Sequence, residues 1–131
     1  MKMVSPAALL LAAALLSACD AGEPASPLPG ELTVTLATPS PTEGALLVAI
    51  SGPDAVISVQ PAAPGAVVRM RSQGTTANVA VFGTLADGPL LRISVPDVRQ
   101  AQRYTATVRE AADPANAVRP SLSGYALTVS R

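Results

Sequence analysis

Cys19 is the only cysteine of the 131 residues, Lys2 is the only lysine, and there is no histidine. These three types carry most nucleophilic attack, proton transfer and soft-metal ligation in proteins. A histidine-based triad and a zinc site are excluded outright. A serine nucleophile would need a carboxylate as its base, and neither G-x-S-x-G nor S-x-x-K occurs. No catalytic residue, no metal site and no cofactor is assigned.

Paired carboxylates remain as one route to chemistry, since two acids flanking a glycosidic bond suffice to hydrolyse it. Glu43, Asp54, Asp87, Asp97, Glu110 and Asp113 fall mostly singly at the ends of apolar runs. Aspartate in S-G-P-D, A-D-G and V-P-D reads as a turn former whose carboxylate accepts local backbone hydrogen bonds. A calcium loop of the form D-x-D-x-D-G is absent. Glycan platforms use exposed aromatics, but there is no tryptophan and only Phe82, Tyr104 and Tyr125 are aromatic. Both tyrosines fall in phase with apolar neighbours, so the core is their expected place. A small-molecule ligand is not expected.

Charge excludes a further class. With Lys2 set aside, eight arginines face nine acids without any run of one sign, so there is no basic field for nucleic acid or anionic lipid. Arg69, Arg71, Arg92, Arg103 and Arg109 fall on the polar phase of their segments, and arginine is enriched at protein interfaces. Singly, each reads as part of a solvated face. Gathered on one sheet, they would form a protein-binding surface.

The elements that must position these residues follow from the hydrophobic period. Met1 to Ser5 carries Lys2, Ala7 to Leu16 is alanine and leucine only, and Ser17-Ala18 precedes Cys19. This is the three-part layout of a secretory signal. Ten helical residues rise about 15 Å, half of a bilayer core of about 30 Å, which disfavours a permanent span. From Asp20 to Gly30, DAGEPASPLPG places Pro24, Pro27 and Pro29 in an extended spacer.

Beyond Gly30 the period becomes two. Leu32 to Leu36, Ala45 to Ile50, Ala55 to Val59, Val67 to Arg71, Thr76 to Phe82, Leu91 to Val95, Arg103 to Arg109 and Tyr125 to Val129 read as strands between Gly, Pro, Asp and Asn. The uninterrupted run Ala45 to Ile50 is expected of a strand covered on both faces or at the centre of a sandwich. Val98 to Gln102 allows one helical turn. Ala111 to Ser123 is the longest irregular stretch and a candidate contact loop. About eight short strands at this spacing predict an all-β fold, a single β-sandwich.

The N-terminal stretch Leu16-Ser17-Ala18-Cys19 resembles the lipobox of bacterial lipoproteins. The resemblance implies a signal peptide over residues 1–18, cleavage before Cys19, acylation of its thiol, a spacer over 19–30 and a domain over 31–131. It places the domain outside the cytoplasm, held to a membrane of the bacterial cell envelope by the lipid on Cys19.

The segments DGPLLRISVPD (Asp87 to Asp97), RYTATVREAADPA (Arg103 to Ala115) and GALLVAISGPDAVISVQPA (Gly44 to Ala62) resemble strands of cohesin-like domains. Immunoglobulin-like and fibronectin-like sandwiches share this patterning. Cohesins are scaffold modules that bind dockerin domains through a flat sheet face, so the resemblance implies a protein partner and no catalysis. The leading expectation is a lipid-anchored, non-catalytic interaction module. A glycan-binding or carboxylate-based hydrolase accessory is the alternative, and a structural envelope lipoprotein without a specific ligand is the third.

Metabolic labelling with a fatty acid checks the anchor. The wild-type chain should take up label and Cys19→Ala should not; equal labelling of both removes the lipobox reading.

Overall fold

The computed structural model describes residues 26–131. The expected signal peptide, Cys19 and the spacer as far as residue 25 lie outside the described residues. Eight strands run in order: β1 (Gly30–Ala37), β2 (Glu43–Ser51), β3 (Ser58–Pro61), β4 (Val67–Gln73), β5 (Thr76–Leu85), β6 (Gly88–Val95), β7 (Thr105–Ala112) and β8 (Ala126–Ser130), with a 3-10 helix η1 (Val98–Arg103) between β6 and β7. They form two four-stranded antiparallel sheets, β3-β6-β1-β8 and β4-β5-β2-β7. The molecule is the all-β sandwich that the strand spacing predicts.

Alternation explains why these two sheets meet. In β1, Leu32, Val34 and Leu36 point inward, and in β6 Leu91, Ile93 and Val95 do the same. Across the gap, Leu46, Val48 and Ile50 of β2 lie beside Val81, Val79 and Ala77 of β5. Each such aliphatic side chain contributes about 1.5–3 kcal/mol when it leaves water. The two central strand pairs therefore supply most of the driving force for layering.

Each predicted strand has an observed counterpart, with shifts at the ends. The strand expected from Ala55 begins only at Ser58, because Pro53-Asp54 turns the chain and pairing with β6 starts at the N–H of Ile57, which donates to the Ser94 carbonyl at 2.8 Å. Val56 is still buried and Ile57 is exposed. The strand expected from Arg103 begins at Thr105, since Val98–Arg103 is taken by η1. Tyr104 joins the core, and its ring lies directly against Gly52, where an added Cβ would strike the ring atoms. The tyrosine hydroxyl donates to the Asp54 carbonyl at 3.3 Å, which holds the 52–57 connection over the end of the sheet.

Gly52→Ala must displace that ring or the backbone beside it, a form of overpacking that costs roughly 1–3 kcal/mol. Urea denaturation should show the loss as a lower midpoint with an unchanged slope.

Candidate interaction surface

The two outer faces of the sandwich differ in chemistry, and register decides which side chains they carry. On β3-β6-β1-β8 the outward residues include Thr33 and Thr35 of β1, Arg92 and Ser94 of β6, and Thr128 and Ser130 of β8. That face is mostly polar, with only the small or cyclic side chains of Ala37, Pro89 and Ala126 among its apolar residues. On β4-β5-β2-β7 the outward row of β2 is Ala45, Leu47 and Ala49, paired with Phe82, Ala80 and Asn78 of β5. The run Ala45 to Ile50 is thus apolar on both sides, but among the described residues no element covers its outer side. Ala45, Leu47 and Ala49 are half-buried within the sheet itself.

Two further exposed side chains enlarge this patch. Val67, paired with Phe82, is 48% exposed, Phe82 itself is 48% exposed, and Val118 is 67% exposed. Val118 is brought in by an isolated bridge to Ala112 at the end of β7. Between Phe82, Leu47, Glu110 and Val118 lies an open depression with a mainly apolar lining. All of these residues sit toward the β2 start, the end of the sandwich remote from η1.

The five arginines do not form one group. Arg69 and Arg71 lie on the outward row of β4, opposite Ala80 and Asn78, and so border the apolar patch. Arg109 is the extra residue of a bulge in β7, where Leu47 pairs with Glu110 and Val48 with Val108. Arg92 belongs to the opposite sheet, between Thr33 and Gln60. Arg103 closes η1 and donates to Gln100 Oε1 at 2.9 Å. Among the described residues, none of the five takes part in an ion pair.

Asp113 acts as the expected turn residue, accepting from the N–H groups of Ala115 and Ala117, both at 2.9 Å. Asp87 instead accepts from the distant Thr38 N–H at 2.7 Å and ties the turn before β6 to the end of β1. Glu43 departs furthest from the turn reading. It is fully buried, receives the Tyr125 hydroxyl at 2.7 Å and Thr38 Oγ1 at 3.3 Å on Oε1, and takes Arg119 Nε at 3.3 Å on Oε2. Arg119 Nη2 adds an ion-pair contact to Oε1 at 3.2 Å. Both carboxylate oxygens are occupied by the protein's own donors, so this acid works as a lock on the 113–125 connection. The Arg119 guanidinium is held above its ordinary pKa, chiefly by its hydrogen bond to Glu43. Burial, with the Glu43 carboxylate second, raises the Tyr125 phenol. The expected contact loop Ala111 to Ser123 is therefore pinned, with Ala111 and Ala112 inside β7 and Leu122 packed on the core.

Sequence reasoning missed Glu43 because T-E-G after a proline-rich turn looks like solvent-exposed punctuation. Beyond the nearby Thr38, its burial depends on the distant Arg119 and Tyr125, and nothing local announces them. Among the described residues, no three His, Cys, Asp or Glu side chains gather closely enough to hold a metal ion.

A second polar cluster fixes the start of the domain. Asp97 caps η1, accepting from the Arg99 N–H at 3.1 Å and from Arg99 Nε at 3.2 Å, and it also accepts from the Leu28 N–H at 3.3 Å. The Val98 N–H returns a bond to the Leu28 carbonyl at 2.8 Å, and the Arg99 guanidinium reaches the Ser26 carbonyl. The end of the expected spacer is thus fastened to η1. The Asp97 carboxyl is lowered to about 2, first by the Arg99 side chain and then by the backbone N–H groups of Arg99 and Leu28.

No protein-family model matches the chain, and neither a curated protein nor a solved structure matches it.

Because the folded Asp97 pKa lies below the ordinary value, its contribution is complete above pH 3.8 and is lost as pH falls through about 2. The amide resonances of Leu28 and Arg99 should titrate together in that window. In Asp97→Asn the shared step should vanish.

Proposed function

We propose that this chain is a lipid-anchored, non-catalytic interaction module of the cell envelope that binds a protein partner through the outer face of β4-β5-β2-β7. The observation that carries the reading is the contrast between the two outer faces. One is lined with threonine, serine and arginine, as a solvated sheet is expected to be. The other presents Ala45, Leu47, Ala80 and Phe82 in register, with Val67 and Val118 beside them and Arg69, Arg71 and Glu110 at the margins. An apolar centre with a charged border is the usual anatomy of a protein interface, with aromatic and arginine side chains as its anchors.

The anchoring part of the reading rests on the Leu16 to Cys19 stretch. No helix among the described residues is long and apolar enough to cross a membrane. The cohesin resemblance supports the same use of a sheet face, and the all-β sandwich suits it. Fold does not select a function, so the weight stays on the chemistry of the face.

Site-specific cross-linking tests the proposal. A photoreactive residue at position 82 of the full-length chain, expressed in its host, should give one discrete protein adduct, and the same residue at position 33 on the polar face should give none. Phe82→Asp should abolish capture of that partner at unchanged stability, while Thr33→Asp should leave it intact. Adducts of equal yield from both faces, or retention of cell-wall glycan with no protein adduct, would falsify the reading.

A further inference from the structure

Four strands lie at sheet edges: β3 and β8 in one sheet, β4 and β7 in the other. Backbone N–H and C=O groups on an open edge are a template for another strand, and proteins usually obstruct such edges. Three of the four are short or obstructed. β3 spans four residues and ends at Pro61, which has no N–H to offer. β7 is bulged at Arg109, and its end is occupied by the Ala112 to Val118 bridge and by the Arg119 N–H, which donates to the Ala111 carbonyl at 2.8 Å. β8 has five residues, with uncharged Ala126, Thr128 and Ser130 facing outward.

β4 differs on each count. It runs for seven residues, has no proline, and holds an unbroken register from Val67 opposite Phe82 to Gln73 opposite Thr76. Only Val68 is half-buried and the other six residues are exposed, so the strand adds little to the core. Its outward row alternates Val67, Arg69 and Arg71, and neither arginine has an acidic partner among the described residues. Arg69 spends one N–H on the carbonyl of its neighbour Val68 at 2.9 Å.

We infer that β4 is a strand-addition site for an extended segment of a partner protein carrying acidic side chains at alternate positions. Residues two apart on a strand are about 7 Å apart, so acids at i and i+2 of the added strand stand beside Arg69 and Arg71 on one face. Backbone pairing supplies the attachment and the arginines select the charge, the division of labour found in strand-addition recognition. A second copy of this chain is a poor occupant. Pairing β4 with β4 would bring arginines of the two copies side by side, and like charges across a ladder are destabilising. The inference deepens the protein-binding reading of this sheet and rests on it.

The test uses the full-length chain and two probe peptides as long as β4, one alternating glutamate with threonine and one alternating lysine with threonine. The glutamate peptide should slow amide hydrogen exchange across Val67–Gln73, and the lysine peptide should not. Arg69→Glu with Arg71→Glu should weaken the glutamate peptide by about tenfold or more and transfer the preference to lysine. Both side chains are exposed, so the fold should persist, as far-ultraviolet circular dichroism can verify. Equal protection by the two peptides, no protection within β4, or unchanged affinity in the double variant would each overturn strand addition. If the cross-linked partner depends on Phe82 but is captured equally by the double variant, strand addition is lost and the face reading stands. If capture depends on the arginines but not on Phe82, the edge is retained and the apolar face is not.

Discussion

The inner faces of the two sheets can leave water only against each other, and the chain is arranged to satisfy that demand. β1 and β2 are consecutive yet belong to opposite layers, so the short connection from Thr38 to Thr42 must cross between the sheets. Glu43 sits where the crossing ends. Its donors come from the close of β1 through Thr38 and from the connection into β8 through Arg119 and Tyr125. A buried carboxylate without such partners would be strongly destabilising, whereas one with donors on both oxygens fixes the geometry of both layers. The polar cluster and the aliphatic rows therefore depend on one another.

The strands were legible because their signal is local. Leu32, Val34 and Leu36 alternate with Thr33 and Thr35, and that period alone gives both the element and its inward face. Val68 and Met70 opposite Arg69 and Arg71 likewise fall on the two sides that the pattern predicts. What could not be read was non-local. The unbroken run at Ala45 to Ile50 signals two apolar faces but is silent on whether a second layer covers the outer one. The arginines gave the right phase on β4 and on β6, yet phase does not say which sheet a strand joins, so Arg92 parted from Arg69 and Arg71. Arg103 was displaced by η1, whose cap at Asp97 competes with continuation of the strand.

The two outer faces of one architecture differ in their chemistry. Thr33, Thr35 and Thr128 fit a pleated surface and keep it wetted. Small residues on β2 and β5 make the other side flatter, and Phe82 is the one aromatic side chain on it among the described residues. The edge strand β4 extends that side laterally, where Arg69 and Arg71 oppose pairing of the strand with a second copy of itself.

The attachment at Leu28 has a mechanical consequence. β1 lies between β6 and β8, antiparallel to both, and it begins beside η1. A pull on the segment preceding β1, resisted by something held near Phe82 at the other end, runs along the strand axis. The bonds of both ladders are then strained together in shear instead of being opened one after another from an end. The Arg99 contact to Ser26 is the first to take tension, and the hydrogen bonds that Asp97 and Val98 make with Leu28 come next, so under load η1 acts as a fuse ahead of the sheet.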